Sequence, residues 1–224
     1  MGKAPKKHPY NEWSPSARAL DVLGDKWTLL IIRILIGGPV RFVEIERRLP
    51  GICTEQLRVR LKQMTDDGLI IRERFREVPP RVQYSLSDRG RAAIPVLDAL
   101  AEWGTRWERE SRRPEETVNI EALLLDKIAV RQLPGFCLWQ VLLEVVDGPT
   151  TRRFLVCAHH GEIEFTNADE ISDQVKVDVS GTAEEWIRFF ETGDDLGLQV
   201  MSDDAKTLLI TCFSSWPTES QASA

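Results

Sequence analysis

Residues 54–90 read TEQLRVRLKQMTDDGLIIRERFREVPPRVQYSLSDRG, and the order of elements in this stretch decides the fold. At roughly 100° per residue, Leu57, Leu61 and Met64 form one apolar stripe of a helix that closes at Gly68. The opposite face carries Glu55, Val59 and Lys62, flanked by Arg58 and Gln63. Arg60 lies nearer the buried edge, where it suits structural pairing or a phosphate better than a base. Two short strand-like runs follow, Leu69-Ile70-Ile71 and Val82 to Leu86, around a tip that holds Pro79 and Pro80. Proline lacks a backbone donor and fixes φ, so the tip cannot extend the sheet. Arg72, Arg74, Arg76 and Arg81 surround it. Such a hairpin is too charged to pack and too stiff to collapse.

Upstream, Ser14 is placed to cap a helix whose first position suits Pro15, and Leu20 and Leu23 share one of its faces. After Asp25 a very apolar helix runs through Trp27, Leu30, Ile31, Ile34 and Leu35 until Gly37-Gly38-Pro39 stops it. A short helix follows with Phe42, Ile45 and Leu49 at helical spacing, ended by Pro50-Gly51. Helix, tight turn, helix and charged hairpin is the order of a winged helix-turn-helix. Downstream, Trp103 and Trp107 join Pro95, Leu97 and Leu100 in a stripe too apolar to leave in water.

The charge supports this division. The 224 residues have a net charge of −6. Residues 1–113 carry 22 Lys and Arg against 15 Asp and Glu, a balance of +7, and residues 114–224 carry 7 against 20, a balance of −13. A basic half joined to an acidic half suggests a polyanion-binding module fused to something else. The polar run WERESRRPEE ends just beyond Pro114, so the expected domains are 1–113 and 114–224. No stretch has the apolar length of a membrane span, and MGKAPKKHPY lacks the apolar core of a signal peptide. A cytoplasmic protein is expected. The four cysteines, at 53, 137, 157 and 212, have no paired spacing, which predicts neither a disulfide framework nor a zinc site.

From Ser14 to about Trp107 the chain closely resembles the HxlR family of bacterial transcriptional regulators. The resemblance is carried by SARALDVLGDKWTLLIIR, RFVEIERRLPGI, LRVRLKQMTDDGLIIRE, EVPPRVQYSLSDRG and PVLDALAEWG. It implies a winged-helix homodimer whose first and last helices build the interface, here Leu20 and Leu23 against Leu100, Trp103 and Trp107. It also implies that the recognition helix enters the major groove of double-stranded DNA while the wing touches the flanking backbone or minor groove. By position, Arg41 precedes the helix-turn-helix; Thr54, Glu55, Gln56, Arg58, Val59, Arg60 and Lys62 belong to the reading helix; Arg76 and Arg81 belong to the wing. The proline-stiffened tip is then built to lie against phosphate. Two departures matter. Many relatives carry a cysteine where this chain has Ser14, and some of them sense oxidants or electrophiles through it, whereas Ser14 cannot do thiol chemistry. Cys53 stands where a serine often caps the recognition helix, so Thr54 is expected to take over the cap, and a thiol switch at Cys53 is conceivable.

In the second half, NIEALLLDKIAV reads as an amphipathic helix capped by Asn119. FCLWQVLLEVV is a strand covered on both faces. RRFLVCA-HHGE-IEFT is a hairpin turning at His159-His160-Gly161. QVKVDVSG alternates, with Val175, Val177 and Val179 on one face. Thr182 and Glu185 make a capping box for AEEWIRFFETG, and DDAKTLLITCFSSW reads as a last helix whose Ile-Thr-Cys-Phe end also suits a strand. The expected fold class is therefore α+β: a winged helix-turn-helix domain joined to a single-sheet α+β domain. Through VKVDVSGTAEEWIRFFETG the second domain resembles the sterol-carrier-protein-like fold, which implies an apolar tunnel lined by Phe136, Trp139, Phe165, Trp186 and Phe190. The competing reading of those aromatics is ordinary core. His159 and His160 with Glu162 and Glu164 form a solvated turn, not a catalytic or metal cluster. No phosphate loop, nucleophile elbow or carboxylate pair suggests an enzyme, and no cofactor is implied. The leading function is a dimeric, sequence-specific DNA-binding regulator whose second domain binds a small apolar ligand or mediates association. The alternative is an apolar-ligand carrier or interaction module using the winged helix for protein contacts, which would not need the arginine cluster.

Overall fold

A computed structural model of the chain describes residues 9–75, 81–107, 119–128, 139–159, 162–168, 176–192 and 197–209. The chain divides into two compact units, Met1–Ile94 and Pro95–Ala224. The expected boundary near Pro114 lies outside the described residues. The division falls earlier, at the head of the helix that bears Trp103 and Trp107.

In the first unit, α1 (Pro15–Leu23) begins as its sequence dictates: the Ser14 hydroxyl accepts the Ala17 N–H at 3.2 Å, and Pro15 opens the helix. Gly24 ends it with its N–H on the Leu20 carbonyl at 2.8 Å. The Asp25 carboxylate then accepts the Trp27 N–H at 2.9 Å, and α2 (Thr28–Ile36) starts one residue later than the apolar run suggests, with Trp27 as its cap. Gly38 breaks the chain direction at φ 113°, a left-handed conformation that suits glycine. After β1 (Val40–Arg41) come α3 (Phe42–Arg48) and α4 (Thr54–Asp66). Leu57, Leu61 and Met64 of α4 are at most 1% exposed, so its apolar stripe is the core side, worth roughly 2 kcal/mol per side chain.

The hairpin strands β2 (Ile70–Phe75) and β3 (Arg81–Leu86) are longer than the sequence suggested, because Arg72 to Phe75 pair with Arg81 to Tyr84. The tip, including Arg76, Pro79 and Pro80, lies outside the described residues. β1 joins as a third antiparallel strand, giving the order β1-β3-β2. Two residues are too few to show a period, so this strand carried no sequence signal. One sheet face holds the buried Val40, Tyr84, Ile70 and Leu86. The single-turn helix α5 (Asp88–Arg91) closes the unit, capped by the Ser87 hydroxyl, which accepts the Gly90 N–H at 3.0 Å. Helix, turn, helix and three-stranded wing make this unit a winged helix-turn-helix.

The second unit contains α6 (Ile94–Trp107, its first residue shared with the other unit), α7 (Ile120–Ile128), β4 (Trp139–Asp147), β5 (Thr150–His159), β6 (Glu162–Asn167), β7 (Val179–Thr182), α8 (Ala183–Thr192), β8 (Gln199–Val200) and α9 (Asp203–Leu208). Its sheet order is β6-β5-β4-β7-β8, antiparallel except for the β4–β7 pair. Asn119 caps α7 by accepting the Ala122 N–H at 3.1 Å. Thr182 and Glu185 form the expected reciprocal pair at the start of α8, at 2.6 and 3.3 Å.

The strand expected over QVKVDVSG is corrected: among its described residues, Lys176 to Asp178 stand outside the ladder and Val179 begins it. Asp178 explains this, since its carboxylate accepts the Leu142 N–H and its own N–H reaches the Leu142 carbonyl, each at 2.9 Å. That exchange occupies the backbone groups that an extended ladder would use. Val177 is half-buried outside the strand, and Val175 lies outside the described residues.

Candidate nucleic-acid interface

α4 is fixed by its buried stripe and presents the opposite face to solvent. Glu55, Gln56, Arg58, Val59 and Lys62 are all exposed there. Arg60 is not part of this face. It pairs with Asp25 in the α1–α2 turn, the two side chains being 23% and 31% exposed, and thereby ties α4 to the rest of the unit. Of the roles expected for Arg60, structural pairing is the one the geometry fits.

The start of α4 differs from expectation. Cys53, not Thr54, occupies the cap position, and Gln56 reaches back to accept the Cys53 N–H at 3.4 Å. Thr54 is the first helical residue, and its hydroxyl donates to the Glu46 carboxylate of α3 at 2.5 Å. As the first helical residue Thr54 stands past the cap position, and its hydroxyl makes the contact with α3 instead. Cys53 itself is exposed and in no disulfide.

Phe42 of α3 is half-buried, and the Arg58 guanidinium stands over its ring at 5.9 Å from the centroid. Glu55 lies 3.6 Å from the same guanidinium. Arg41 stands at the cap position of α3, its N–H held by the Glu44 carboxylate at 3.0 Å, and is exposed.

Register divides the wing's arginines between two faces. Arg41 lies opposite Gln83, which lies opposite Glu73, so these three share the outer face with Arg81 and Phe75. Arg72 and Arg74 share the other face with Tyr84 and Val82 and are themselves exposed. Arg72 and Arg74 stand two apart and share a face by period alone, whereas the faces of Arg81 and Arg41 follow only from the pairing.

Elsewhere, Leu20, Leu100, Trp103 and Trp107 are exposed, whereas Leu23 is half-buried and Leu97 is buried. Trp186 and Phe190 are buried and packed on each other with ring centroids 6.0 Å apart, and Phe189 meets Trp186 edge-on at 6.2 Å. The Trp186 indole donates to the Glu144 carbonyl at 3.0 Å. These two of the five proposed tunnel residues are thus ring-to-ring core. Phe136 lies outside the described residues, and Trp139 and Phe165 are placed only as positions in β4 and β6. His160 lies outside as well. Among the described residues no group of three or more His, Cys, Asp or Glu could hold a metal ion, and no helix is long and apolar enough to cross a membrane.

A second helix of a helix-turn-helix that shows a polar, partly basic outer face beside an arginine-bearing wing defines the class: a winged helix-turn-helix protein of the kind found in transcriptional regulators. The model of the HxlR-like helix-turn-helix family matches residues 22–112. Together with relatives matched over most of their length, this shows that the chain belongs to that family. It is 39% identical over 90 residues to the HTH-type transcriptional regulator YvaP of Bacillus subtilis, covering 40% of this chain and 83% of YvaP. It is 42% identical over 98 residues to the HTH-type transcriptional regulator sll1512 of Synechocystis, covering 43% and 73%. An HTH-type transcriptional regulator of Methanothermobacter thermautotrophicus is 46% identical over 86 residues, covering 38% of this chain and 66% of that relative. Among solved structures, the reduced form of the transcriptional regulator YodB from B. subtilis matches at 30% identity and a TM-score of 0.40, covering 45% of this chain and all of YodB.

Proposed function

We propose that this protein is a sequence-specific, homodimeric DNA-binding transcription regulator that reads the major groove with α4 and grips flanking phosphates with its wing. The observation that carries the reading is the outer face of α4, where Arg58, Val59 and Lys62 stand exposed in a half of the chain whose net charge is +7. Arg58 and Lys62 can donate to guanine, Glu55 can accept from cytosine, and Val59 can touch a thymine methyl. Affinity should fall steeply with salt. If each half-site neutralises about three phosphates, the log–log slope for a dimer would be about −5. The test is to sequence the genomic fragments that the purified protein retains and to measure the salt slope on the best of them. Retention without enrichment, or binding indifferent to salt, would overturn the proposal.

Dimerisation rests on the aromatic stripe of α6. Leu100, Trp103 and Trp107 on α6 are 50%, 53% and 63% exposed, and Leu20 on α1 is exposed as well. Trp107→Glu should give monomers of lower DNA affinity, and an unchanged dimer by sedimentation would refute this. For the second unit, the resemblance to sterol-carrier-like domains supports a role as an effector module for a small apolar ligand. Native mass spectrometry of protein from its host should then detect a bound molecule, and protein that carries none and binds none would refute it.

A further inference from the structure

Phe42 and Glu46 stand four residues apart on α3, and Thr54 and Arg58 stand four apart on α4. Residues at that spacing share a helix face. The two faces meet in two rungs: the Thr54 hydroxyl donates to Glu46 at 2.5 Å, and the Arg58 guanidinium stands over the Phe42 ring at 5.9 Å. The first rung fixes the seam between the helices where α4 begins. The second acts on a side chain that is itself 64% exposed. An arginine so exposed samples many rotamers, and a base contact that needs both of its donors in one plane must select among them.

We propose that Phe42 is a positioning residue that sets the sequence preference of Arg58 without itself touching a base. This rests on the reading of α4 as the DNA-reading helix. A guanidinium over an aromatic face at an exposed site is favoured about two- to fivefold over the unstacked state. Holding Arg58 there before DNA arrives lowers the ordering cost of the contact by the same factor.

The experiment selects full-length protein against randomised duplexes and compares the wild type with Phe42→Leu, Phe42→Tyr, Arg58→Ala and the Phe42→Leu/Arg58→Ala double variant. Arg58→Ala identifies the base pair that Arg58 reads. Phe42→Leu should lower discrimination at that pair by about two- to fivefold, leaving other positions and the salt slope as they were. Phe42→Tyr, which keeps a ring under the guanidinium, should retain the preference, and the double variant should be no worse there than Arg58→Ala alone. Unchanged preference in Phe42→Leu, or an equal loss at every position, would overturn the inference. Wild-type protein with no preference at any position would instead overturn the DNA reading itself. Should Phe42→Leu not fold, NMR of the wild type decides: the side-chain protons of Arg58 should be shifted upfield by the ring current of Phe42, and ordinary shifts would sink the proposal.

Discussion

Gly90 stands at the foot of the wing, buried in α5, and Gly90→Ala should destabilise the first unit although alanine is the better helix former. A Cβ at this position would meet the Leu69 carbonyl oxygen well inside the 3.0 Å that real Cβ atoms essentially never cross, and the Leu86 side chain at 3.2 Å. The carbonyl has no freedom to withdraw. It accepts the Ser87 N–H at 3.1 Å and the Ser87 hydroxyl at 2.9 Å, while the Leu69 N–H is bound to Met64 at the end of α4 at 2.9 Å. Relieving the clash costs two hydrogen bonds at about 1 kcal/mol each, and repacking an overfilled site adds about 1–3 kcal/mol. Against this, alanine gains only about 0.5–1 kcal/mol over glycine within a helix. The net loss is about 2–4 kcal/mol. For a domain of this size each kcal/mol lowers Tm by about 4–8 °C, so the first unit should melt at least about 8 °C earlier. Scanning calorimetry and urea denaturation of the full chain, followed by tryptophan fluorescence, would measure this. A Gly90→Ala protein that melted at or above the wild type would show that the wing root yields to a methyl group, and the reasoning would fail.

Asp25→Asn should cost about 1–2 kcal/mol, since it strips the charge from a half-buried pair and leaves Arg60 uncompensated; denaturation would show it, and the preferred DNA sequence should not change. Glu185→Gln bears on pH. Hydrogen bonds from the Thr182 backbone N–H and then the Thr182 side chain hold the Glu185 carboxyl below the ordinary carboxylate range. A depressed folded-state value contributes stability that is present above the unfolded value and lost as pH falls through the folded one. The acid limb of the second unit's stability profile should therefore flatten in Glu185→Gln, and an acid limb identical to the wild type would refute the assignment.

What could be read in the chain were features whose cause lies within a few residues. Ser14 with Ala17, Asn119 with Ala122 and Thr182 with Glu185 are caps in which donor and acceptor stand three apart, so a local pattern suffices. The stripe of Leu57, Leu61 and Met64 was equally plain, because three residues at helical spacing define a face. Failures came where a distant partner decides. β1 and β8 exist only through pairing with β3 and β7. The start of β7 is set by Leu142, far back in the sequence, acting on Asp178. Phe42 shares helical spacing with Ile45 and Leu49, and spacing locates a stripe better than its edges. Whether an aromatic at the edge faces inward or supports a charged neighbour depends on α4, which its own helix does not encode. The Thr54 hydroxyl likewise finds its partner, Glu46, on a neighbouring helix, α3.

The division of the wing's arginines bears on how affinity and specificity separate in this protein. Arg81 lies opposite Phe75 at the last described pair of the hairpin, on the outer face of the sheet with Arg41. A side chain on a strand ladder projects in a direction set by the pleat, and from a wing it reaches backbone phosphates or the minor groove, where base information is scant. Arg58 projects from a helix face with the dimensions of a major groove, where each base pair is distinct. Arg81→Ala should therefore weaken binding to all sequences alike and make the salt slope shallower by about one unit. Arg58→Ala should cost about 1–3 kcal/mol at one base pair and relax preference there, with the other positions unmoved. Selections from randomised duplexes at two salt concentrations would measure both effects together. If Arg81→Ala changed the preferred sequence while Arg58→Ala left it intact, the roles drawn from helix face and strand register would have to be exchanged.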